Sequence, residues 1–271
     1  MINALILAGT SPQKQGKPKK WKQKTKPGEV DLEKYAQVSN KALIPILEKP
    51  MLWFTLEALE GIKPPIREVK LLGEPETLKK VLSHSRWEGL EVIAEKGSLL
   101  DNLEEGLQHV NPEEPCLIAT SDIPLITSEA VQDFVFRCEP FEKDLYYPII
   151  TEVDCTSRFP QTERTYLAIK EGRFTGGNLA MVKPSSILAR IDQLHLIFSQ
   201  RKQPWKYARM LSPRLILKLL FKQVTVEELE FYISRILDWE VSAVRTPYVE
   251  IGTDVDKPTD LEMARQEIKE N

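Results

Sequence analysis

In the stretch NALILAG, residues 3 to 9, an unbroken apolar run follows Asn3 and is closed by a glycine. A strand with one wet face alternates apolar and polar residues, whereas a continuous run of this length fits a strand covered on both faces, as in a parallel sheet. Parallel strands need crossovers, and the chain supplies them in order. PMLWFTLEALEGI (50–62) opens on Pro50 and closes at Gly61, the punctuation of a helix. IREVKLLG (66–73) and LEVIAEKG (90–97) read as strands, with PETLKKVLSH (75–84) as the helix between them. GSLLDNLEEGLQHV (97–110) sets Leu99, Leu103, Leu107 and Val110 at helical spacing. PCLIATSDIP (115–124) is a buried strand stopped by Pro124, and SEAVQDFVF (128–136) is the next helix. This β-α-β-α order implies right-handed crossovers and a doubly wound, mostly parallel sheet. Ligands in such sheets bind at the carboxyl ends of the strands, so the loops LAGTSP, AEKGS and ATSDIP should share one rim.

The second half is less regular. DLYYPIITEV (144–153) and TYLAIKEGRFTGGN (165–178) read as antiparallel strands ending in a Gly-Gly-Asn turn. From about 184 to 238 helices dominate: SSILARIDQLHLIFSQ, ARMLSPRLILKLLFKQ and VEELEFYISRILDW, the last with Val226, Leu229, Ile233 and Ile236 on one face. EVSAVRTPYVEIG (240–252) returns to strand chemistry. With no repeat and no Gly/Ser-rich linker, 1–271 reads as one domain with a helical insertion at about 184–238.

Composition excludes several classes. A formal charge of -3 over 271 residues argues against a dedicated nucleic-acid binder. Cys116, Cys138 and Cys155 have no CxxC spacing and read as reduced, buried thiols. His84, His109 and His195 are too far apart in sequence to suggest a zinc site or a histidine-driven reaction. The N-terminus lacks a basic segment before its apolar run, and no stretch reaches the ~18 apolar residues of a membrane span. These features place the protein in the cytoplasm.

Five segments carry candidate chemistry. Asp122 follows the buried strand CLIAT and precedes Ile123-Pro124; Thr127 or Ser128 is better placed to cap the next helix, so Asp122 is left without capping duty. Near the C-terminus, DVDKP (254–258) puts Asp254 and Asp256 on the same side of an extended segment, just before a helix opening at Pro258. Helix capping and a hard-cation site both explain this pair. The loop after Gly9 carries lysines at 14, 17, 19, 20, 22, 24 and 26, suited either to solvent or to a polyphosphate, but it has neither GxxxxGK[ST] nor GxGxxG. In FTGGN, Gly176 and Gly177 permit close backbone approach, and Asn178 can donate and accept hydrogen bonds to an acceptor's hydroxyls. RKQPWKYARMLSPRLILKLLFK (201–222) has seven basic residues and no acidic one. It reads first as a lid or dimer helix packed on the domain, and second as a peripheral membrane contact.

Taken together, LILAGTSP, NKALIPILEKPML, GSLLDNLEEGL, IATSDIPLIT and VEIGTDVDKPTDLEMA resemble the MobA-like and IspD-like NTP transferases. This nucleotidyltransferase family includes the molybdenum-cofactor guanylyltransferases and methylerythritol-phosphate cytidylyltransferases. The resemblance implies a three-layer α/β/α, Rossmann-like GT-A fold with a mostly parallel central sheet. It implies nucleotide binding by Leu7, Ala8, Gly9 and Thr10, with Gly97, Asp101 and Asn102 contacting base or ribose. Lys41 would neutralise the triphosphate, and Asp122 with Asp254 would hold Mg²⁺, Asp256 being the substitute for Asp254. Lys41 and Asp122 are thus the catalytic candidates, and Gly176, Gly177 and Asn178 the acceptor-binding ones. The family's glycine-rich loop with its early arginine, GGxGxR, is replaced here by TSPQKQGK, in which lysines take the arginine's place.

The chemistry suits those roles. Transfer of a nucleoside monophosphate accumulates charge on phosphate oxygens and on departing pyrophosphate, which cations stabilise without a histidine base. The expected partners are a nucleoside triphosphate and a small, phosphorylated acceptor. Two other classes stay open: a glycosyltransferase of related fold, whose usual DxD is here the single Asp of SDIP, and a non-catalytic nucleotide-binding protein.

Overall fold

A computed structural model describes residues 1–9, 32–200 and 212–270. The run that opens the chain forms β1 (Ile2–Leu7). Two short strands, β2 (Pro45–Ile46) and β3 (Lys49–Pro50), pair only with each other. The remaining strands are β4 (Ile66–Gly73), β5 (Glu91–Ala94), β6 (Cys116–Thr120), β7 (Leu145–Thr151), β8 (Leu167–Ile169), β9 (Gly172–Gly176), β10 (Leu179–Val182) and β11 (Val241–Arg245). Among the described residues, β1 and β4 to β11 build one nine-stranded sheet, ordered β5-β4-β1-β6-β10-β7-β9-β8, with β11 on β7. β1 is parallel to β4 on one side and to β6 on the other. β7 is parallel to β11. Only β9 and β10 run against the rest, following one another along the same edge of β7.

Both faces of β1 are covered, as its composition requires. Leu5 packs with Leu100, Leu107 and Ile118 on one face; Ala4 and Ile6 pack with Leu52, Leu56 and Phe134 on the other. Helices Met51–Ala58 and Ser128–Cys138 form one outer layer, and Leu99–Gln108 with Ile191–Gln200 the other. A third cluster joins Leu32, Ile44, Ile46 and Met51 to Val255, Leu261 and Ala264. That cluster seats the C-terminal helix Pro258–Glu270 beside the chain around Lys41.

Four expectations change. In the helix Leu99–Gln108 the buried positions include Leu100 and Leu107, whereas Leu99, the first residue after the cap, is 58% exposed. The segment before the acidic pair is not strand: β11 stops at Arg245, and Val249–Gly252 coils as a 3-10 turn. Pro247 accounts for the stop, because it has no N–H for a ladder. Gly176-Gly177-Asn178 does not end a hairpin but joins β9 to β10, an unanticipated strand; Ile149 faces Gly176 while Tyr146 faces Met181. The segment 185–200 is broken into Pro184–Leu188 and Ile191–Gln200. Thr10, the lysine loop and residues 201–211 lie outside the described residues. Of 212–222, Leu215 is buried while Leu217, Leu220 and Phe221 are exposed. No described helix is long and apolar enough to cross a membrane.

Candidate active site

The carboxyl ends of β1 and β6 lie side by side, with the amide of Ser121 donating to the carbonyl of Leu7 at 3.2 Å. Between them opens a cavity of about 200 Å³ lined by Leu7, Gly9, Lys41, Gly97, Leu99, Asn102, Thr120, Ser121 and Asp122, with Leu72. The three loops expected on one rim do meet there, as far as they are described.

Each wall has a local cause. Ser98 caps its helix in a reciprocal box with Asp101: the Asp101 amide donates to the Ser98 hydroxyl and the Ser98 amide to the Asp101 carboxylate, both at 3.1 Å. Asp101 is therefore committed to the helix end and does not line the cavity, contrary to the sequence expectation. Asn102, 8% exposed, accepts the Lys96 amide at 2.6 Å and so shapes the loop in which Gly97 adopts a φ of +131°, a conformation closed to L residues. Ala8 is also withdrawn from the cavity: its amide donates to Leu72 and its carbonyl accepts from Asn40 Nδ2 at 2.7 Å. Asn40 in turn accepts the Ala42 amide at 2.8 Å, so one buried side chain caps the 3-10 turn Lys41–Leu43 and ties it to the end of β1. That tie sets Lys41 over the cavity.

Lys41 meets the acidic residues there. Its Nζ lies 3.9 Å from Asp122 Oδ2 and hydrogen-bonds Asp256. Oxygens of Asp122, Asp254 and Asp256 lie within 4.8 Å of one another. Val255, fully buried in the third core cluster, turns the two tail aspartates to the same side, as the alternation predicted. The amide of Val255 donates to the carbonyl of Asp122 at 2.9 Å, which fixes the tail to the end of β6.

The electrostatics separate the three carboxylates. Burial pushes Asp122 above the usual carboxylate range, against the pull of Thr120 and Lys41 and with the charge of Asp256 adding to the rise. Thr120 Oγ1 and Asp122 Oδ1 are both buried, and neither completes a hydrogen bond of good geometry among the described residues, although Thr120 is near enough to hold the Asp122 carboxyl down. Asp254 is pushed up to about 6 by burial and by the charges of Asp256 and Asp122. Asp256 is pushed upward by burial too, but Lys41 outweighs it and holds this carboxyl below its usual value. Burial would lower Lys41, and the hydrogen bond and charge of Asp256, with Asp122 and Glu33, raise it instead. Asp256 thus has its own counter-cation, while among the described residues Asp122 and Asp254 stand close with too little positive charge. An all-oxygen set of this kind suits a small, hard divalent cation, and the orphaned Asp122 Oδ1 is an atom that such an ion would satisfy. The donor set fits Mg²⁺.

Several residues that hold the site were not singled out from sequence. Arg164 donates to the carbonyl of Gly252 and, at 2.7 Å, to Thr253 Oγ1, clamping the backbone immediately before Asp254. Around it, Glu163 pairs with Lys257 at 3.0 Å and Arg158 with Glu267 at 2.7 Å. Between 89 and 109 residues separate these partners, and no local pattern links them. Asn178 binds through its backbone: its carbonyl accepts the Thr120 amide at 3.1 Å and its amide donates to Ile251 at 2.8 Å. A Cβ on Gly177 would fall 2.6 Å from Ile251 Cγ2, so Gly176-Gly177-Asn178 is packed between β6 and the chain leading to Asp254.

A nine-stranded mixed sheet, mostly parallel, with flanking helices is a GT-A-like fold. The chain belongs to the MobA-like NTP transferase family, whose model matches residues 34–214. That match includes Lys41, Asn102, Asp122 and Asn178; β1 and the tail aspartates lie outside it and join the site through the fold. A solved structure of a hypothetical transferase from Thermus thermophilus is 33% identical, with 96% of this chain and 100% of that one covered at a TM-score of 0.76. Two others are alike in fold at TM-scores of 0.58. The 4-diphosphocytidyl-2C-methyl-D-erythritol synthase of Anaerococcus prevotii is 12% identical over 99% of this chain and 98% of its own. A CMP:2-keto-3-deoxy-manno-octonic acid synthetase complexed with CTP is 13% identical over the same shares. No curated protein matches the chain.

Proposed function

We propose that this protein transfers a nucleoside monophosphate from a nucleoside triphosphate to a small phosphorylated acceptor, with Mg²⁺ as cofactor and pyrophosphate as the second product. The observation that carries this reading is the convergence of Asp122, Asp254 and Lys41 at the mouth of the cavity between β1 and β6. In the reaction an acceptor phosphate oxygen forms a bond to the α-phosphorus while the bond from α-phosphorus to the bridging oxygen breaks, and pyrophosphate leaves with that electron pair. A phosphate dianion has no proton to surrender, which suits a site without histidine.

Mg²⁺, when bound, supplies positive charge to the phosphate oxygens. Asp122 and Asp254 would hold it. Lys41 is charged at neutral pH and faces the same space, so it would stabilise the leaving pyrophosphate, with Asp256 keeping its ammonium oriented. Leu7, Gly9, Gly97 and Asn102 form the walls for the nucleoside, and exposed Leu99 offers an apolar surface for the base. Gly176, Gly177 and Asn178 border the acceptor's side. Ala8 and Asp101 support these walls from behind.

A thermal-shift panel of ATP, GTP, CTP and UTP, with and without Mg²⁺, tests the assignment alongside a pyrophosphate-release assay. At a hundred times its dissociation constant, one triphosphate should stabilise the wild type by about 2.7 kcal/mol, only with Mg²⁺, and Asp122→Asn should lose the response. A response to nucleotide sugars and to no triphosphate would instead favour sugar transfer.

A further inference from the structure

Beyond the carboxylates, on the side of β7, β9 and β11, lies a second cavity of about 300 Å³ roofed by the helix Val226–Leu237. Its wall is mostly hydrocarbon: Ile149, Leu167 and Phe174 come from the strands, Val226, Leu229 and Ile233 from the helix, with Tyr147, Thr175 and Ser242 as its hydroxyl-bearing members. Glu230 also borders it, but its carboxylate already accepts the Ala243 amide at 2.6 Å.

The helix is held in an uncommon way. Thr225 and Glu228 form a reciprocal capping box at its start, and Asp238 closes its end in the left-handed conformation, yet none of its residues is buried. An apolar stripe on a helix normally packs into a core. Here Val226, Leu229 and Ile233 line open volume instead.

This cavity shares no lining residue with the candidate active site, but the walls of the two are contiguous through Gly176 and Gly252. Tyr147 and Gly176 line it, and a Cβ on Gly176 would strike the Tyr147 ring. The carbonyl of Gly176 lies 3.2 Å from where a Cβ on Gly252 would stand, and Gly252 is two residues from Asp254. We infer that the cavity receives an apolar portion of the acceptor, which is then a monophosphate carried on a compact hydrocarbon group rather than on a sugar. The inference rests on the transfer reading above. A sugar placed here would bury most of its hydroxyls against hydrocarbon, with only Tyr147, Thr175, Ser242 and Glu230 to pair with, at a cost that a hydrocarbon avoids. The volume matches the lower end of ligand cavities, roughly 300 to 1,000 Å³.

Calorimetric titration of the full chain, in Mg²⁺, with n-alkyl phosphates from methyl to hexyl tests this. Affinity should rise about fourfold for each methylene added, until the cavity is filled. Ile233→Glu, at a position 42% exposed where folding is not at stake, should flatten the series, and Leu229→Trp should do the same by filling the space. A flat series in the wild type overturns the inference, as does a full slope retained in Ile233→Glu. The Mg²⁺-dependent triphosphate shift is read on the same samples. A normal shift with a flat series removes the apolar acceptor alone; a chain-length slope with no triphosphate response keeps the apolar site and removes the transfer reading.

Discussion

Asp122 and Asp254 face the same space but reach it by different means. Asp122 follows β6, a strand laddered on both sides, so its backbone is fixed by hydrogen bonds repeated along β1 and β10. Asp254 follows a 3-10 turn with no ladder of its own, and its place depends on the Arg164 clamp, on buried Val255 and on Gly177 packed against Ile251. One carboxylate is placed by secondary structure, the other by tertiary contacts. A site assembled this way should tolerate changes of side chain at Asp122 without loss of fold, and should lose Asp254 when a distant clamp is cut.

The largest effect should come from Asp122→Asn. Loss of a charge aimed at the reacting phosphates should lower pyrophosphate release about 10²- to 10³-fold, with circular dichroism and melting temperature preserved. Collapse of the fold in this variant would contradict a ladder-fixed Asp122. Lys41→Met should follow at roughly 10²-fold, because it removes the cation facing the leaving group. Since Lys41 also neutralises Asp256, the variant's melting temperature should fall as salt is lowered, where like charges are least screened.

Arg164→Ala sharpens the contrast. Leaving the Gly252 carbonyl without its side-chain partner, and the Thr253 hydroxyl with Val249 alone, should destabilise by about 1–3 kcal/mol. Transfer should drop about tenfold, the size of a modest misplacement rather than a lost charge. Arg164→Lys should recover part of the stability, because one of the two bonds can be remade. Equal rates in wild type and Arg164→Ala would mean that Asp254 does not need the clamp.

The smallest effect is one of stability. Asp254, pushed up to about 6, takes up protons on folding between its ordinary value near 4 and that value. Its unfavourable contribution is therefore absent below about pH 4 and complete above about pH 6. Asp254→Asn should stabilise the metal-free protein by about 2 kcal/mol at pH 7.5, with most of the gain gone at pH 4.5. Denaturant unfolding at the two pH values checks it, and an equal gain at both would disprove the electrostatic origin.

The parallel half was legible because its signals are local. NALILAG, CLIAT and the capped helices between them each state their own conformation, and strand ends locate Asp122 without knowledge of the rest. Local signals also mislead where one feature has two uses. Leu99 fits the helical spacing yet faces the cavity, and Asp101 lies in a stretch expected to bind the nucleotide yet spends its carboxylate on a cap. The Gly-Gly-Asn segment looks like a turn in isolation; only its register along β7 and its contact with Ile251 show a close packing of backbones.

By itself the sequence determined the doubly covered strands, the capped helices of the parallel half and the rim on which Asp122 emerges, because burial pattern, caps and breakers act within a few residues. It also determined that Asp254 and Asp256 share a side, through simple alternation about Val255. Only the tertiary structure decided which of the two is already paired with Lys41, which arginine holds them, and that an apolar cavity adjoins them. Those outcomes depend on contacts across some 90 to 215 residues of chain, where charge pairing and packing are set by the topology of the sheet and leave no periodic trace in the sequence.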